Sequence, residues 1–335
     1  MLIKLRNSII TLVVFLIPIA IFLTLASFED QQEYVQTEAV VPAPTTPVTA
    51  HLSFVGDIML DRGVKLRVQK YSNGDYHYIF EHSDFLKEPD LMFANLEGPV
   101  STRGANVGSI YSFRFDPIVL SVLKDAGFDV LSMANNHIGD WGRMALEDTL
   151  TLGKENGFDM VGGGFGYEDA RTPVIREVNG IKIGYLGFSD FGPPYVLVNA
   201  NSSSTAAGVL SADDPFLSAV VADAKAQVDV LVVSFHFGDE YKLLSNDRQK
   251  RLAHTAIDAG ADIVAGHHPH VAEETEAYNG GVIAYSLGNF IFDQSFSEET
   301  MRGVKLDVMV TKEGMQSYST STIQLNANYQ PMLAK

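Results

Sequence analysis

The sequence predicts an α/β layered domain carried behind one N-terminal transmembrane helix. Three observations lead there: an uncharged apolar run near the N-terminus, a Pro/Thr-rich stretch behind it, and from His51 onward short apolar runs alternating with helical patterns. With 335 residues and 46% hydrophobic content, the chain is long enough for one large core or two modest ones.

Residues 1–7 carry Lys4 and Arg6 and are expected to stay in the cytoplasm, because positive flanks resist translocation. Residues 8–28 (SIITLVVFLIPIAIFLTLASF) are long enough, at about 1.5 Å per residue, to span a hydrocarbon core. The expected result is a single-pass protein of the cell membrane with its globular domain extracytoplasmic. A cleaved signal peptide ending near Thr24-Leu25-Ala26 is the competing reading. Residues 29–49, with VVPAPTTPVTA, form a spacer that cannot pack a core. The globular domain is placed at 50–330.

Within it, strands are expected at 52–56, 90–95, 128–134, 158–163, 181–188, 228–235, 261–266 and 281–288. Helices are expected at 116–126, 143–156, 214–226 and 247–259, the second burying Met144, Leu146, Leu150 and Leu152. Strands rich in Val, Ile and Leu on both faces belong to sheets covered on both sides. The stretch 303–325 has no helical period and reads as an antiparallel hairpin at a sheet edge.

Composition removes whole classes of chemistry. A net charge of −17 argues against nucleic acid as a partner, which needs a basic face. With no cysteine there is no disulfide, thiolate metal site or thiol nucleophile. A metal must therefore be held by oxygen and imidazole.

Such donors cluster behind the strands. Asp57 follows SFVG, Asn95 and Glu97 follow LMFA, and Asn135, Asn136 and His137 follow VLSMA. His236 follows VLVVSF, His267, His268 and His270 follow DIVAG, and Asn289 and Asp293 follow AYSLG. In open α/β sheets, ligands bind beyond the carboxyl ends of the strands, so these residues are expected at one edge. The donor types suit Mn²⁺, Zn²⁺, Fe or Mg²⁺ and hydrolytic chemistry assisted by a histidine. Arg114, flanked by aromatics in YSFRFDP, is a candidate for binding an anionic substrate, with Arg62 and Arg143 beside it; an ion pair from Arg114 to Asp116 is the structural alternative. His51, His77, His82 and His254 are expected outside the site. Gly162-Gly163-Gly164 lacks P-loop spacing and reads as a tight turn.

FVGDIML (54–60), NLEGPV (95–100), NNHIGDWG (135–142), SFHFGDEY (234–241), GADIVAGHHPHV (260–271) and IAYSLGNFIFD (283–293) resemble, in order, the capsule-type poly-γ-glutamate biosynthesis (CapA) family. The resemblance covers residues 51–293. It implies a four-layer α/β/β/α metallophosphoesterase-like sandwich with a two-metal site and an N-terminal anchor. Carried over residue by residue, it makes Asp57 a ligand, with Met59 where a ligand histidine would stand, and Glu97 the bridging carboxylate. Asn136 becomes a ligand, His137 the proton donor, His236 the lone histidine ligand, and His268 and His270 the closing pair. One metal is then firm, on Glu97, Asn136, His236 and His268. The second, on Asp57, Glu97 and His270, is weak or absent, because Met59 offers nothing to a hard cation. Asn95, Asn135, His267, Asn289 and Asp293 are expected to orient the ligands.

The functional expectation is a cell-surface protein that makes, exports or anchors an anionic polymer such as poly-γ-glutamate, beside a membrane polymer synthase and with a metal-dependent hydrolase-like site. An envelope metallophosphoesterase and a non-catalytic polymer-binding scaffold are the competing readings.

Overall fold

Short aliphatic runs bounded by Gly, Asn and Asp become strands in the computed structural model, which describes residues 47–202 and 205–334. The expected anchor at 8–28 and the spacer up to residue 46 lie outside the described residues. Among those described, no helix is long and apolar enough to cross a membrane.

In chain order the strands are β1 (Ala50–Ile58), β2 (Leu91–Leu96), β3 (Val130–Ser132), β4 (Asp159–Val161), β5 (Gly163–Gly164), β6 (Val174–Val178), β7 (Ile181–Ser189), β8 (Leu197–Val198) and β9 (Gly208–Leu210). They continue with β10 (Val230–His236), β11 (Ile263–His267), β12 (Thr275–Tyr278), β13 (Gly281–Ala284), β14 (Asn289–Ile291), β15 (Arg302–Thr311), β16 (Gly314–Leu325) and β17 (Pro331–Leu333). The helices are α1 (Arg62–Ser72), α2 (Ile118–Ala126), α3 (Arg143–Glu155), α4 (Tyr167–Ala170), α5 (Leu217–Lys225) and α6 (Asp247–Asp258).

An eight-stranded sheet runs β17-β16-β15-β1-β2-β3-β4, with β14 also pairing β1. A six-stranded sheet runs β12-β13-β11-β10-β7-β6, and β5, β9 and β8 form a small third one. Strands β1 to β4 are mutually parallel, as are β7, β10, β11 and β13, so each main sheet has one edge made of carboxyl ends.

Three cores set the layering. Leu52, Phe54 and Phe93 of the first sheet meet Tyr185, Val232 and Ala265 of the second. The other face of the first sheet, with Val55 and Leu131, is covered by Val64 and Val68 of α1, Leu120 and Leu123 of α2, and Leu146 and Leu150 of α3. The other face of the second, with Val233 and Phe235, is covered by α5 and α6 through Leu217, Val221, Ala253 and Ile257. Each such large side chain contributes roughly 1.5–3 kcal/mol by leaving water.

The α/β reading and the hairpin, β15 with β16, match the sequence. The donor-bearing strands belong to two sheets, as the implied sandwich requires, although apolar parallel strands of either sheet look alike in sequence. Two details differ. The run 281–288 stops as a strand at Ala284, and the chain crosses over so that β14 takes up the partner position on Asp57 and Ile58. In α3, Met144 is 48% exposed and the buried stripe is Ala145, Leu146, Thr149, Leu150 and Gly153. Gly162, at φ +80°, makes the expected turn, while Gly163 and Gly164 pair with β9.

Candidate metal centre

The carboxyl ends of β1, β2, β10 and β11 and the loop after β3 converge on one buried cluster. Asp57 ends the inner part of β1, where glycine permits an unusually close approach: a Cβ on Gly56 would lie 1.8 Å from the Gly288 carbonyl oxygen. Gly266 plays the same part on β11, where a Cβ would lie 1.9 Å from the Tyr285 oxygen. These contacts draw β14 and the segment after β13 tightly against the site.

Asp57 is fully buried and heavily engaged. Its Oδ1 accepts from Asn95 Nδ2 at 2.8 Å and lies 3.1 Å from His267 Nδ1, and its Oδ2 lies 3.3 Å from both the His268 backbone nitrogen and His270 Nδ1. Burial pushes this carboxyl up, but the hydrogen bonds and charges of His267 and His270 together hold it well below the usual range. Glu97 is the opposite case. Burial, then repulsion from Asp57 and Glu240, push it well above the usual range. Its Oε1 is buried without a hydrogen-bond partner, 3.5 Å from His270 Nε2 and 3.9 Å from His137 Nε2.

The donor chemistry fits a divalent cation. One ligand atom from each of Asp57, Glu97 and His270 lies within 4.8 Å of the others, all buried. A carboxylate oxygen buried without a partner is costly unless a cation faces it. Beside this set, His236 Nε2 lies 2.8 Å from Asn136 Oδ1 and 3.1 Å from His268 Nδ1. Burial, and then the charge of His268, hold His236 well below its ordinary value, and burial first brings His268 down to about 3. Both are thus neutral imidazoles, the form a metal takes. Among the described residues, the histidine and carboxylate donors that converge are those of the set the sequence ranked second, Asp57, Glu97 and His270. Met59 is buried in the core, its sulfur accepting the Asp61 backbone N–H at 3.2 Å.

His268 (φ +99°) and His270 (φ +57°) both adopt left-handed backbone, a strain of roughly 1–3 kcal/mol each that persists where surrounding structure fixes it. Asn289 Oδ1 lies 3.1 Å from His270 Nδ1, and Asn135 Nδ2 donates to Asn95 Oδ1 at 3.1 Å, so the expected orienting roles of Asn95, Asn135, His267 and Asn289 have contacts behind them.

Asp293 is placed differently: it accepts Arg62 Nε at 3.1 Å and Nη2 at 2.8 Å, and its carboxylate faces the guanidinium and not the histidines. The three arginines separate as well. Arg143 donates to the backbone oxygens of Ala207 and Tyr195, and so ties loops together instead of facing substrate. Arg114 stacks on Trp141 at 3.5 Å, while its neighbours Phe113 and Phe115 turn into the core. Asp116, the alternative partner for Arg114, instead accepts the Ile118 backbone N–H at 3.1 Å. Of the three, Arg62 lines the cavity beside the donors. His51, His77 and His254 each pair with a carboxylate elsewhere.

That cavity, of about 220 Å³, is walled by Arg62, Phe113, His137, Tyr241, His270 and Phe292, among others. A larger one, about 720 Å³, opens beside α4 and α5 but holds none of these donors. The sequence reading missed Asp140, which lies 2.8 Å from His137 Nδ1 and also accepts the Phe113 backbone N–H at 2.9 Å. The signal was present: a carboxylate three residues after a histidine in NNHIGD. Tyr241 and Phe113 gave no comparable signal, since aromatics in loops are common.

The family model described as "Bacterial capsule synthesis protein PGA_cap" matches residues 51–294. The PGA biosynthesis protein CapA of Bacillus subtilis (strain 168) is 36% identical over 278 residues, covering 82% of this chain and 71% of the relative. The capsule biosynthesis protein CapA of Bacillus anthracis is 36% identical over 274 residues, covering 78% of this chain and 64% of the relative. A hypothetical protein from Thermus thermophilus shares the fold, with a TM-score of 0.51 at 16% identity over 82% of this chain and 99% of that one. The chain belongs to the bacterial capsule synthesis protein family.

Proposed function

We propose that this chain is a cell-surface accessory protein of capsule-polymer synthesis, tethered through residues 8–28, whose metallophosphoesterase-like site hydrolyses or transfers an amide or ester of an anionic polymer such as poly-γ-glutamate. One observation carries the catalytic part: the partnerless Glu97 Oε1 is buried with His270 Nε2 and His137 Nε2 turned toward it, and both of those histidines line a cavity. The polymer comes from the relatives, one a PGA biosynthesis protein and one a capsule biosynthesis protein. A membrane polymer synthase is the partner such an accessory protein would serve.

Asp57, Glu97 and His270, with Asn136, His236 and His268 beside them, would hold Mn²⁺, Zn²⁺, Fe or Mg²⁺. A divalent cation there supplies a lowered water pKa and polarisation of the electrophile. The remaining work belongs to the chain's own groups. Asp140 takes the proton side of His137 Nδ1, fixing the ring so that Nε2 faces the cavity. His137 then delivers a proton to the leaving nitrogen or oxygen from Nε2, and Asp140 stabilises the imidazolium before transfer. Phe113, with its ring centroid 4.1 Å from that of His137, holds the ring and keeps water from it. The burial of Met59 in the core, where its sulfur accepts the Asp61 backbone N–H, supports a departure from ordinary phosphoesterase chemistry.

The test is a metal-supplemented screen of the full chain in detergent against poly-γ-glutamate and an aryl phosphate together. Shortened polymer, untouched aryl phosphate and loss of activity in His137→Ala are expected. Aryl phosphate turnover alone would put the phosphoesterase in its place. Polymer binding without turnover under all four metals would leave a scaffold.

A further inference from the structure

Arg62 occupies a position that glycine would fill more easily. It opens α1 with φ +48°, left-handed backbone that costs a non-glycine residue about 1 kcal/mol. Asp293 holds it there: Nε and Nη2 donate to the two carboxylate oxygens at 3.1 and 2.8 Å, and the Gly63 backbone N–H adds a bond at 2.8 Å. The guanidinium also lies 5.6 and 5.3 Å from the ring centroids of Tyr111 and Phe113. A strained backbone, a two-point clamp and two aromatic faces thus fix one side chain that remains 35% exposed, at the wall of the cavity shared with His137 and His270.

What that wall recognises follows from its charges. Among the described residues, no lysine and no other arginine lines the cavity, whereas Glu240 and Asp293 both do. The guanidinium has one edge committed to Asp293 and its Nη1 side left over. A dianionic phosphate would face one half-committed cation and two carboxylates. A single carboxylate needs only the free donors, and Tyr111, Phe113, Phe292 and Phe296 offer apolar surface to the methylenes that carry it. A cavity of about 220 Å³ also holds one amino-acid-sized unit, below the roughly 300–1,000 Å³ usual for drug-sized ligands.

We infer that Arg62, positioned by Asp293, reads a carboxylate on the substrate next to the linkage at the metal centre, so that the site takes one carboxylate-bearing unit of the polymer in preference to a phosphoester. The inference rests on the reading that this cavity engages an anionic polymer.

Calorimetric titration of the full chain in detergent tests it, with a short γ-linked glutamate oligomer and the same oligomer with its free carboxyls converted to amides. The acid is expected to bind about tenfold or more tighter than the amide, with the ratio falling to about one in Arg62→Gln. The double variant Arg62→Gly with Asp293→Asn relaxes the left-handed backbone and leaves no unpaired carboxylate, so it guards against a folding artefact; thermal melting confirms both variants are folded. Equal binding of acid and amide, no binding of the acid, a ratio that survives in both variants, or displacement by phenyl phosphate at similar concentration would each overturn the inference. Hydrolysis followed in parallel separates the two readings. Arg62-dependent binding of uncut polymer removes the hydrolase and keeps this inference. Cutting with an acid preference that ignores Arg62 does the reverse.

Discussion

Glu273 makes the stability of this fold depend on pH in a calculable way. It lies just after the metal-centre loop, 7% exposed, with Oε2 accepting Gln249 Nε2 at 2.6 Å and Oε1 buried without a partner. Burial pushes its carboxyl from 4.5 up to about 7, the Gln249 bond opposing and the charges of Glu274 and Asp239 adding to the rise. Because the folded pKa exceeds the unfolded one, the folded state holds the proton more tightly between those values. The stabilisation is therefore complete below about pH 4.5 and is lost as pH climbs through about 7. At about 1.4 kcal/mol per unit, the swing is roughly 3–3.5 kcal/mol, or roughly 5–10 °C in Tm for a chain of this size. Glu273→Gln keeps an acceptor for Gln249 and removes the titration. Melting curves near pH 5 should nearly coincide for wild type and variant, and near pH 8 the variant should melt several degrees higher. If the two Tm values run parallel across that range, the carboxyl is not titrating with folding and the argument fails.

Asp140→Asn should cut turnover by roughly 10²–10⁴-fold by releasing His137, and cost about 1–3 kcal/mol because its two oxygens also serve Phe113 and Ser109; polymer hydrolysis and denaturant melts read the two effects separately. Metal analysis after dialysis against a chelator should find one firmly retained equivalent per chain, reduced in Glu97→Gln; two retained equivalents would refute the asymmetric centre. Gly56→Ala should destabilise by about 1–3 kcal/mol or more, since the new methyl would meet the Gly288 oxygen at 1.8 Å; an unchanged denaturation midpoint would show that β14 yields freely.

Much of the centre was legible because its residues follow apolar runs. Asp57, Glu97, His236, His268 and His270 each stand at or just past a strand's carboxyl end, and a period-two or all-apolar run announces the strand. What stayed hidden depends on long-range pairing. The Arg62–Asp293 clamp joins residues 231 positions apart, and no local pattern announces it. The division of strands between two sheets is equally silent in the strand pattern, because β1 and β10 are buried on both faces and read the same; only the family resemblance implied it. Helix α1 escaped because only Val64 and Val68 of its residues are buried, leaving too short a stripe for the helical period to show. Met144 misled for the opposite reason: an apolar residue at the first turn of a helix can face solvent.

The pair at the heart of the site is lopsided in a way that favours a shared cation. Asp57 is ionised and saturated, with Asn95, His267, His268 and His270 around its two oxygens. Glu97, a few ångströms away just past the end of the next strand, is repelled by it and has an oxygen without a hydrogen-bond partner, 3.5 Å from His270 Nε2 and 3.9 Å from His137 Nε2. Two buried carboxylates this close ionise together only if positive charge lies between them. The histidines supply little of it: burial keeps His236 and His268 neutral, and His270 is shared, its Nδ1 facing Asp57 and Asn289 and only its Nε2 facing Glu97. Glu97 would hold a cation together with Asp57 and His270, which makes this residue, more than any histidine, the one whose loss should empty the centre.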